Sequence, residues 1–331
     1  MDHDPPFLET YKAFLKNPLS DDTEDHHYHH HTSHSSLLVD SWDPPAIDFA
    51  RLLLDEDRDE EIVKKEMIEA ASKWGLFQLV NHKISQELLQ SMMLEQMKLF
   101  HQPFMNKSLL RNYRWGNPFA TNLSQLSWSE AFQIRLTDIS RMDEQKNLRS
   151  VETFATKVTA LVESIVEILA HRVNIKSTYF RKNCLPNSCF LRMNRYPQSP
   201  LSSKLFGLMP HSDSSFLTIV YQHKVGGLQV LKDTKWVAVN PIPNALIVII
   251  GDLFQALSNG AYRSITHRVV AAEKIERFSV AYFCCPSDDT VIQSYNEPAI
   301  YRKFTFREYR HQIEKDVKQI GDKVGLSRFL A

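Results

Sequence analysis

Three residues in the second half of the chain have the types and spacing to hold a metal ion. Met209-Pro210-His211-Ser212-Asp213 sets an imidazole and a carboxylate two residues apart, and Ser264-Ile265-Thr266-His267-Arg268-Val269 offers a second imidazole further on. On a strand, residues i and i+2 share a face, so His211 and Asp213 can meet one ion. By itself H-x-D is a weak signal, and the third group gives it meaning. Two histidines and one carboxylate, with the other positions open, form the ligand set of non-haem iron(II) oxygenases. Zinc, with water in its fourth position, accepts the same three groups.

A second constellation, Arg277-Phe278-Ser279, again spaces two polar side chains by two residues. An arginine pointing into a β-barrel is costly unless an anion meets it. Its guanidinium grips a carboxylate through two parallel hydrogen bonds, and a neighbouring hydroxyl adds a third. 2-Oxoglutarate fits this demand, with its distal carboxylate on Arg277 and its other end chelating iron. A structural salt bridge is the competing reading for Arg277.

The elements that must position these groups follow from pattern. Helical periodicity is expected over 61–74, with Ile62, Met67, Ile68 and Ala71, and over 85–100, with Leu88, Leu89, Met92, Met93 and Met97. The methionines read as core filler. A longer amphipathic helix is expected over 150–173, carrying Val151, Phe154, Val158, Leu161, Val162, Ile165 and Leu169 on one face. Beyond Leu185 short β-prone runs take over: 189–196, 216–221, 228–231, 236–239, 246–250, 267–270 and 278–284. They are separated by turns such as Val225-Gly226-Gly227 and Asn259-Gly260. Many short strands at this spacing indicate a jelly roll or barrel. A closing helix is expected over 306–323. The fold class is therefore α+β with a mainly β core, a double-stranded β-helix (jelly roll) with a helical N-terminal region and a C-terminal helix. The expected division is 1–43 as a disordered, His-rich segment, 44–185 as the helical region, 186–290 as the jelly-roll core, and 291–331 as the C-terminal helix.

Bulk numbers exclude several function classes. The chain has 331 residues, 39 basic and 39 acidic side chains, and 43% hydrophobic residues. Such a balance suits a globular protein with a sizeable core and argues against a nucleic-acid partner. The longest apolar run, 245–250, is too short to cross a bilayer, and the N-terminus lacks a secretory pattern. Cys184, Cys189, Cys284 and Cys285 form no C-x-x-C pair and read as reduced thiols of a cytoplasmic protein. The tract Asp25-His26-His27-Tyr28-His29-His30-His31-Thr32-Ser33-His34 could chelate metal loosely, but it lacks an apolar frame and reads as a linker.

With these residues in view, the chain resembles the plant 2-oxoglutarate/iron(II)-dependent dioxygenase superfamily from about residue 44 onward. The resemblance is carried by H-x-D…H…R-x-S and by Arg192-Met193-Asn194-Arg195-Tyr196-Pro197. Trp74-Gly75-Leu76-Phe77-Gln78-Leu79-Val80-Asn81-His82 and Val225-Gly226-Gly227-Leu228-Gln229-Val230 add to it. It implies iron(II) on His211, Asp213 and His267, which are catalytic through the metal, without a separate acid or base. It implies 2-oxoglutarate on Arg277 and Ser279, with a phenolic hydrogen bond from Tyr196, and O2 as oxidant with ascorbate as reductant. Lys83 departs from the family, which usually has glycine there. Ile249 and Ser212 also depart, where asparagine and threonine are commoner. His82 reads as a core residue with a satisfied hydrogen bond, Asp252 as structural, and Trp128 and Glu130 as part of a superfamily strand.

Narrower segments, Asn112-Tyr113-Arg114-Trp115-Gly116 and Leu126-Ser127-Trp128-Ser129-Glu130-Ala131-Phe132, are similar to gibberellin 2-oxidases of the class that takes C20 gibberellins. That similarity implies 2β-hydroxylation of a diterpenoid, coupled to decarboxylation of 2-oxoglutarate to succinate and CO2. Such a rigid, carboxylated substrate wants an apolar pocket with a fixed cation, for which Arg114 is the candidate. The alternatives are a C19-gibberellin 2-oxidase, a flavonoid- or alkaloid-type dioxygenase of the same fold, and a non-catalytic protein that reuses it. A membrane partner is not expected, and the oligomeric state is not encoded in any of these patterns.

Overall fold

The computed structural model describes residues 3–16, 37, 39–53, 57–141, 148–176, 178–201, 205–222, 224–294 and 296–331. The His-rich tract lies outside the described residues.

Strand periodicity builds the core. The run Leu246–Ile250 is fully buried, and its alternate residues serve two different interiors. Ile247 and Ile249 join Leu76, Tyr196, Leu228, Val230 and Val269 in one apolar cluster. Leu246, Val248 and Ile250 face the other way, into a larger cluster built with the helices. A strand buried on both faces reads as a continuous apolar run, because each side chain has a layer to enter.

The strands, in chain order, are β1 (Ser41–Trp42), β2 (Ala46–Asp48), β3 (Leu76–Val80), β4 (Tyr113–Trp115), β5 (Glu130–Arg135), β6 (Phe190–Tyr196) and β7 (Phe206–His211). They continue as β8 (Leu217–Gln222), β9 (Leu228–Lys232), β10 (Lys235–Val239), β11 (Leu246–Ile250), β12 (His267–Val270) and β13 (Arg277–Cys284). Two sheets result, ordered β1-β10-β9-β12-β7 and β2-β3-β11-β8-β13-β6-β5-β4. Most neighbours are antiparallel, and the smaller apolar cluster draws residues from both sheets, as in a jelly roll. The seven expected β runs all appear, with ends differing by a residue or two.

Helices cover the outer face of the large sheet. Asp57–Lys73 buries Val63, Met67, Ala70 and Ala71, and Gln86–Phe100 buries Leu89, Met92, Met93, Leu99 and Phe100. Ser85 caps the second, accepting from the Leu88 amide at 3.3 Å. The helix Arg149–Arg172 turns its apolar stripe inward, and its first amides donate to Glu95 of Gln86–Phe100 at 2.9–3.1 Å. A carboxylate there satisfies orphan amides and complements the helix dipole. The closing helix runs Phe306–Ile320, shorter than expected, because Gly321 (φ 78°) ends it in the left-handed conformation.

Two expectations are corrected. Residues 1–43 are not uniformly without structure: Phe7–Thr10 and Lys12–Lys16 are helical, and Phe7 and Tyr11 are buried. Phe7 stacks on Trp128 at 4.5 Å, and the Tyr11 hydroxyl accepts from the Asn117 amide at 2.8 Å. Aromatic burial fixes this short segment although its neighbours are polar. The second correction concerns H-x-D: β7 ends at His211, so Asp213 lies in the following turn and not on the strand. Lys83, the departure from glycine, has φ 62°, which explains why glycine suits that position better.

Candidate metal centre and its cleft

Register brings the two histidines together. β7 and β12 pair antiparallel with His267 opposite His211, and the ring centroids are 4.3 Å apart. The turn after β7 swings Asp213 between them: its Oδ1 is 3.7 Å from His211 Nε2 and 3.8 Å from His267 Nε2. One ligand atom from each of the three lies within 4.8 Å of the others.

Hydrogen bonds orient both rings. His211 Nδ1 lies 2.8 Å from the Met209 carbonyl and His267 Nδ1 lies 3.1 Å from the Ile265 carbonyl. With Nδ1–H committed to a carbonyl, the Nε2 lone pair faces Asp213 and is free to bind a cation. Burial, and then the neighbouring His267, pushes the pKa of His211 down to about 3, which keeps its imidazole neutral. Two imidazoles and one buried carboxylate converging on a point are the donors a divalent cation requires.

The turn carrying Asp213 is held from behind. Lys323, beyond the closing helix, donates to the Ser212 carbonyl at 2.7 Å and to Ser214 Oγ at 2.9 Å, and pairs with Asp252 at 2.6 Å. Asp252 also accepts from Ser212 Oγ at 2.9 Å and from the Tyr309 hydroxyl, and its amide donates to the Asp213 carbonyl at 2.8 Å. Burial works against the Asp252 carboxylate, but the Lys323 ammonium outweighs it and holds the pKa below the ordinary value. Asp252 is thus structural, as expected, and acts on the loop of the candidate ligands.

A cleft of about 840 Å³ opens onto the three residues. Tyr196, Asn194 and Ser279 line it, and Arg277 lies beside Tyr196, its guanidinium carbon 4.8 Å from the ring centre. Arg277 is 2% exposed. Its NH2 donates to Gln222 Oε1 at 2.7 Å, yet Nε and NH1 have no acceptor among the described residues. Buried polar groups are nearly always satisfied, so two orphaned donors on one guanidinium mark a place for an anion. Burial lowers the pKa of Arg277, with the tyrosine partly opposing it. Gly207 on β7 permits the close packing of Tyr196, since a Cβ there would lie 2.6 Å from the ring.

Sequence reasoning placed six of its site residues in or beside this cleft and misplaced one. Arg114 is exposed on the edge strand β4, where it donates to the carbonyls of Arg111 and Tyr113 at 2.7 and 2.6 Å, and it does not line the cleft. Alternation along the strand turns Tyr113 and Trp115 inward and Arg114 outward. Gln222 and Lys323 had been missed. Nothing in sequence marks a lysine 111 positions from the loop it holds, but Gln222 stands opposite Ser279 in register and could have been found by pairing strands.

Comparison with known proteins accords with this geometry. The profile of the 2OG-Fe(II) oxygenase superfamily matches residues 187–286, and that of the "non-haem dioxygenase in morphine synthesis N-terminal" matches 44–155. Gibberellin 2-beta-dioxygenase 8 of Arabidopsis thaliana is 46% identical over 99% of this chain and 98% of its own length. The chain belongs to the 2OG-Fe(II) oxygenases, in the gibberellin 2-beta-dioxygenase family. Gibberellin 2-beta-dioxygenase 6 of Oryza sativa subsp. japonica is 41% identical, covering 98% of this oxygenase and 96% of the relative. Among solved structures, that of JOX2 in complex with 2OG, Fe and JA superposes with a TM-score of 0.75 at 30% identity, covering 88% of this oxygenase and 90% of that chain. No helix among the described residues is long and apolar enough to cross a membrane, and all four cysteines are free thiols.

Proposed function

We propose that this oxygenase 2β-hydroxylates gibberellins, with His211, Asp213 and His267 holding iron(II) and Arg277 with Ser279 seating the distal carboxylate of 2-oxoglutarate. The observation that carries the assignment is the pairing of a convergent His-Asp-His set with a buried arginine that has two orphaned donors. Iron bound there, with O2, supplies the oxidising power that couples loss of CO2 from 2-oxoglutarate to insertion of oxygen into a C–H bond.

The chain's own residues do the rest. The two carbonyl-anchored imidazoles and the turn held by Lys323 fix the ligand geometry before substrate arrives. Arg277 and Ser279 orient the co-substrate, and the Tyr196 ring covers one face of the guanidinium. Leu208, Val220, Leu228, Ile249 and Phe283 give the cleft the apolar wall that a rigid diterpenoid needs. C20 gibberellins are the proposed substrates, on the resemblance of 112–116 and 126–132 to that class. Reduced cysteines fit a cytoplasmic location.

Purified protein with iron(II), ascorbate and 2-oxoglutarate should convert C20 gibberellins to 2β-hydroxylated products, identified by mass spectrometry, in preference to C19 forms. Turnover of C19 forms alone would overturn the sub-class. Indifference to all gibberellins, with another scaffold consumed, would overturn the substrate.

A further inference from the structure

We propose that Arg192 is the carboxylate seat for the organic substrate, an assignment that rests on the reading of the cleft as a diterpenoid acid site. Alternation along β6 sends Arg192, Asn194 and Tyr196 to the cleft, while Met193 and Arg195 point away. The partners across the ladder on β13 are Ala281, Ser279 and Arg277 in turn. One strand pair thus carries two guanidinium groups on the same face. Their positions are four residues apart along the strand, roughly 13 Å at about 3.3 Å per residue. That is further than the short diacid held at Arg277 can reach, so Arg192 is free for a second anion.

Its surroundings leave it unbalanced. Arg192 Nε donates to Asn194 Oδ1 at 2.9 Å, which fixes the plane of the fork. Opposite it, Ala281 contributes only a methyl group, so no bulky side chain on that position covers the guanidinium. Of the other cations lining the cleft, Lys323 is paired with Asp252, Arg310 with Asp288, and Arg135 is exposed to solvent. Arg192 has no carboxylate partner among the described residues, and the acid that attracts it is Asp213, a candidate ligand committed to the metal. Counting charges gives the same answer. Apart from the exposed Arg135 and Glu314 and the paired Lys323–Asp252 and Arg310–Asp288, two guanidinium groups and a divalent cation would face one carboxylate from Asp213 and two from 2-oxoglutarate, which leaves one positive charge over. A half-buried, uncompensated guanidinium is costly, and a substrate carboxylate removes that cost.

The test is Arg192→Gln assayed with a gibberellin acid and with its methyl ester. For the acid, KM and the dissociation constant from equilibrium dialysis should rise by about ten- to a hundredfold, the range of a lost charge-assisted hydrogen bond. KM for the ester should change little, and so should KM for 2-oxoglutarate. Arg192→Lys keeps the charge without the fork and should fall between, again on the acid alone. If Arg192→Gln does not accumulate as folded protein, Arg192→Lys carries the same comparison. Equal effects on acid and ester, or an unchanged acid KM, overturn the assignment. A wild type that consumes no gibberellin sinks the substrate proposal instead, and acid and neutral forms of whichever substrate it does consume then decide Arg192.

Discussion

Arg195 and Arg277 are both buried, on adjacent strands, and they are treated in opposite ways. Arg195 looks away from the cleft into a cluster where NH1 meets Asp4 at 2.8 Å and Glu130 at 2.7 Å, and Nε meets Glu276 at 2.7 Å. Glu130 in turn binds the fully buried Lys107 and the Tyr113 hydroxyl. Arg277 looks toward the cleft with one amide acceptor and two empty donors. Burial opposes the charge on both. Around Arg195 the carboxylates outweigh burial and raise its pKa, whereas Arg277 has no carboxylate among the described residues and is lowered. Charge buried to hold a fold is paired within the chain. The buried charge of Arg277 keeps two donors open, the condition that the proposed 2-oxoglutarate seat requires.

The largest expected effect breaks the open site outright. Asp213→Ala, His211→Ala or His267→Ala should abolish turnover and weaken metal binding by more than the 10- to 100-fold that outer partners of a ligand typically carry. Metal titration by calorimetry reads this directly, and tight binding of iron(II) by any of the three variants would mean the ligand set lies elsewhere.

Next comes the pair of arginines itself. Arg195→Met removes the cation shared by Asp4, Glu130 and Glu276, leaving Glu130 to Lys107 and Glu276 to His101, and should cost roughly 3–5 kcal/mol in urea unfolding. Arg277→Met removes a charge that lacks a counter-ion, so the ligand-free protein should be as stable as wild type or more so, while KM for 2-oxoglutarate rises steeply. 2-Oxoglutarate should also lose its ability to raise the melting temperature. Similar destabilisation by both variants would erase the distinction.

The smallest effect concerns pH. Burial raises the Glu276 carboxyl, but Arg195 and then His101 outweigh it and hold its pKa below the ordinary 4.5. A depressed folded pKa gives stability that is present above the unfolded value and lost as pH falls through the folded one. Glu276→Gln should therefore flatten the decline of stability below about pH 4.5. An unchanged slope would place the acid-sensitive group elsewhere.

Much of the site was legible because its chemistry is dense in sequence. H-x-D and R-x-S each compress two groups into three residues, and strand alternation shows that such pairs share a face. The long helices announced themselves through apolar spacing, as Met92 and Met93 illustrate by filling the core. What escaped depends on contacts far apart in the chain. Nothing near Arg114 shows that β4 is an edge strand turning it outward. The first residues look polar, and only the stacking of Phe7 on Trp128 reveals that they dock. Asp213 joins the histidines although it has left the strand, since the following turn does what a pleat would have done.

The tether between Lys323 and the loop at Ser212 has a consequence for biosynthesis. The two residues are separated by 111 positions, and synthesis proceeds from the N-terminus. When His211 and Asp213 leave the ribosome, the lysine that steadies their turn has not been made. The strands can pair and the histidines can approach each other before it arrives, because those contacts are internal to the jelly roll. The contacts of Lys323 with the turn can form only after translation has passed that lysine. A message interrupted before that codon would yield a chain with all three donors present and the turn at Ser212 without its lysine.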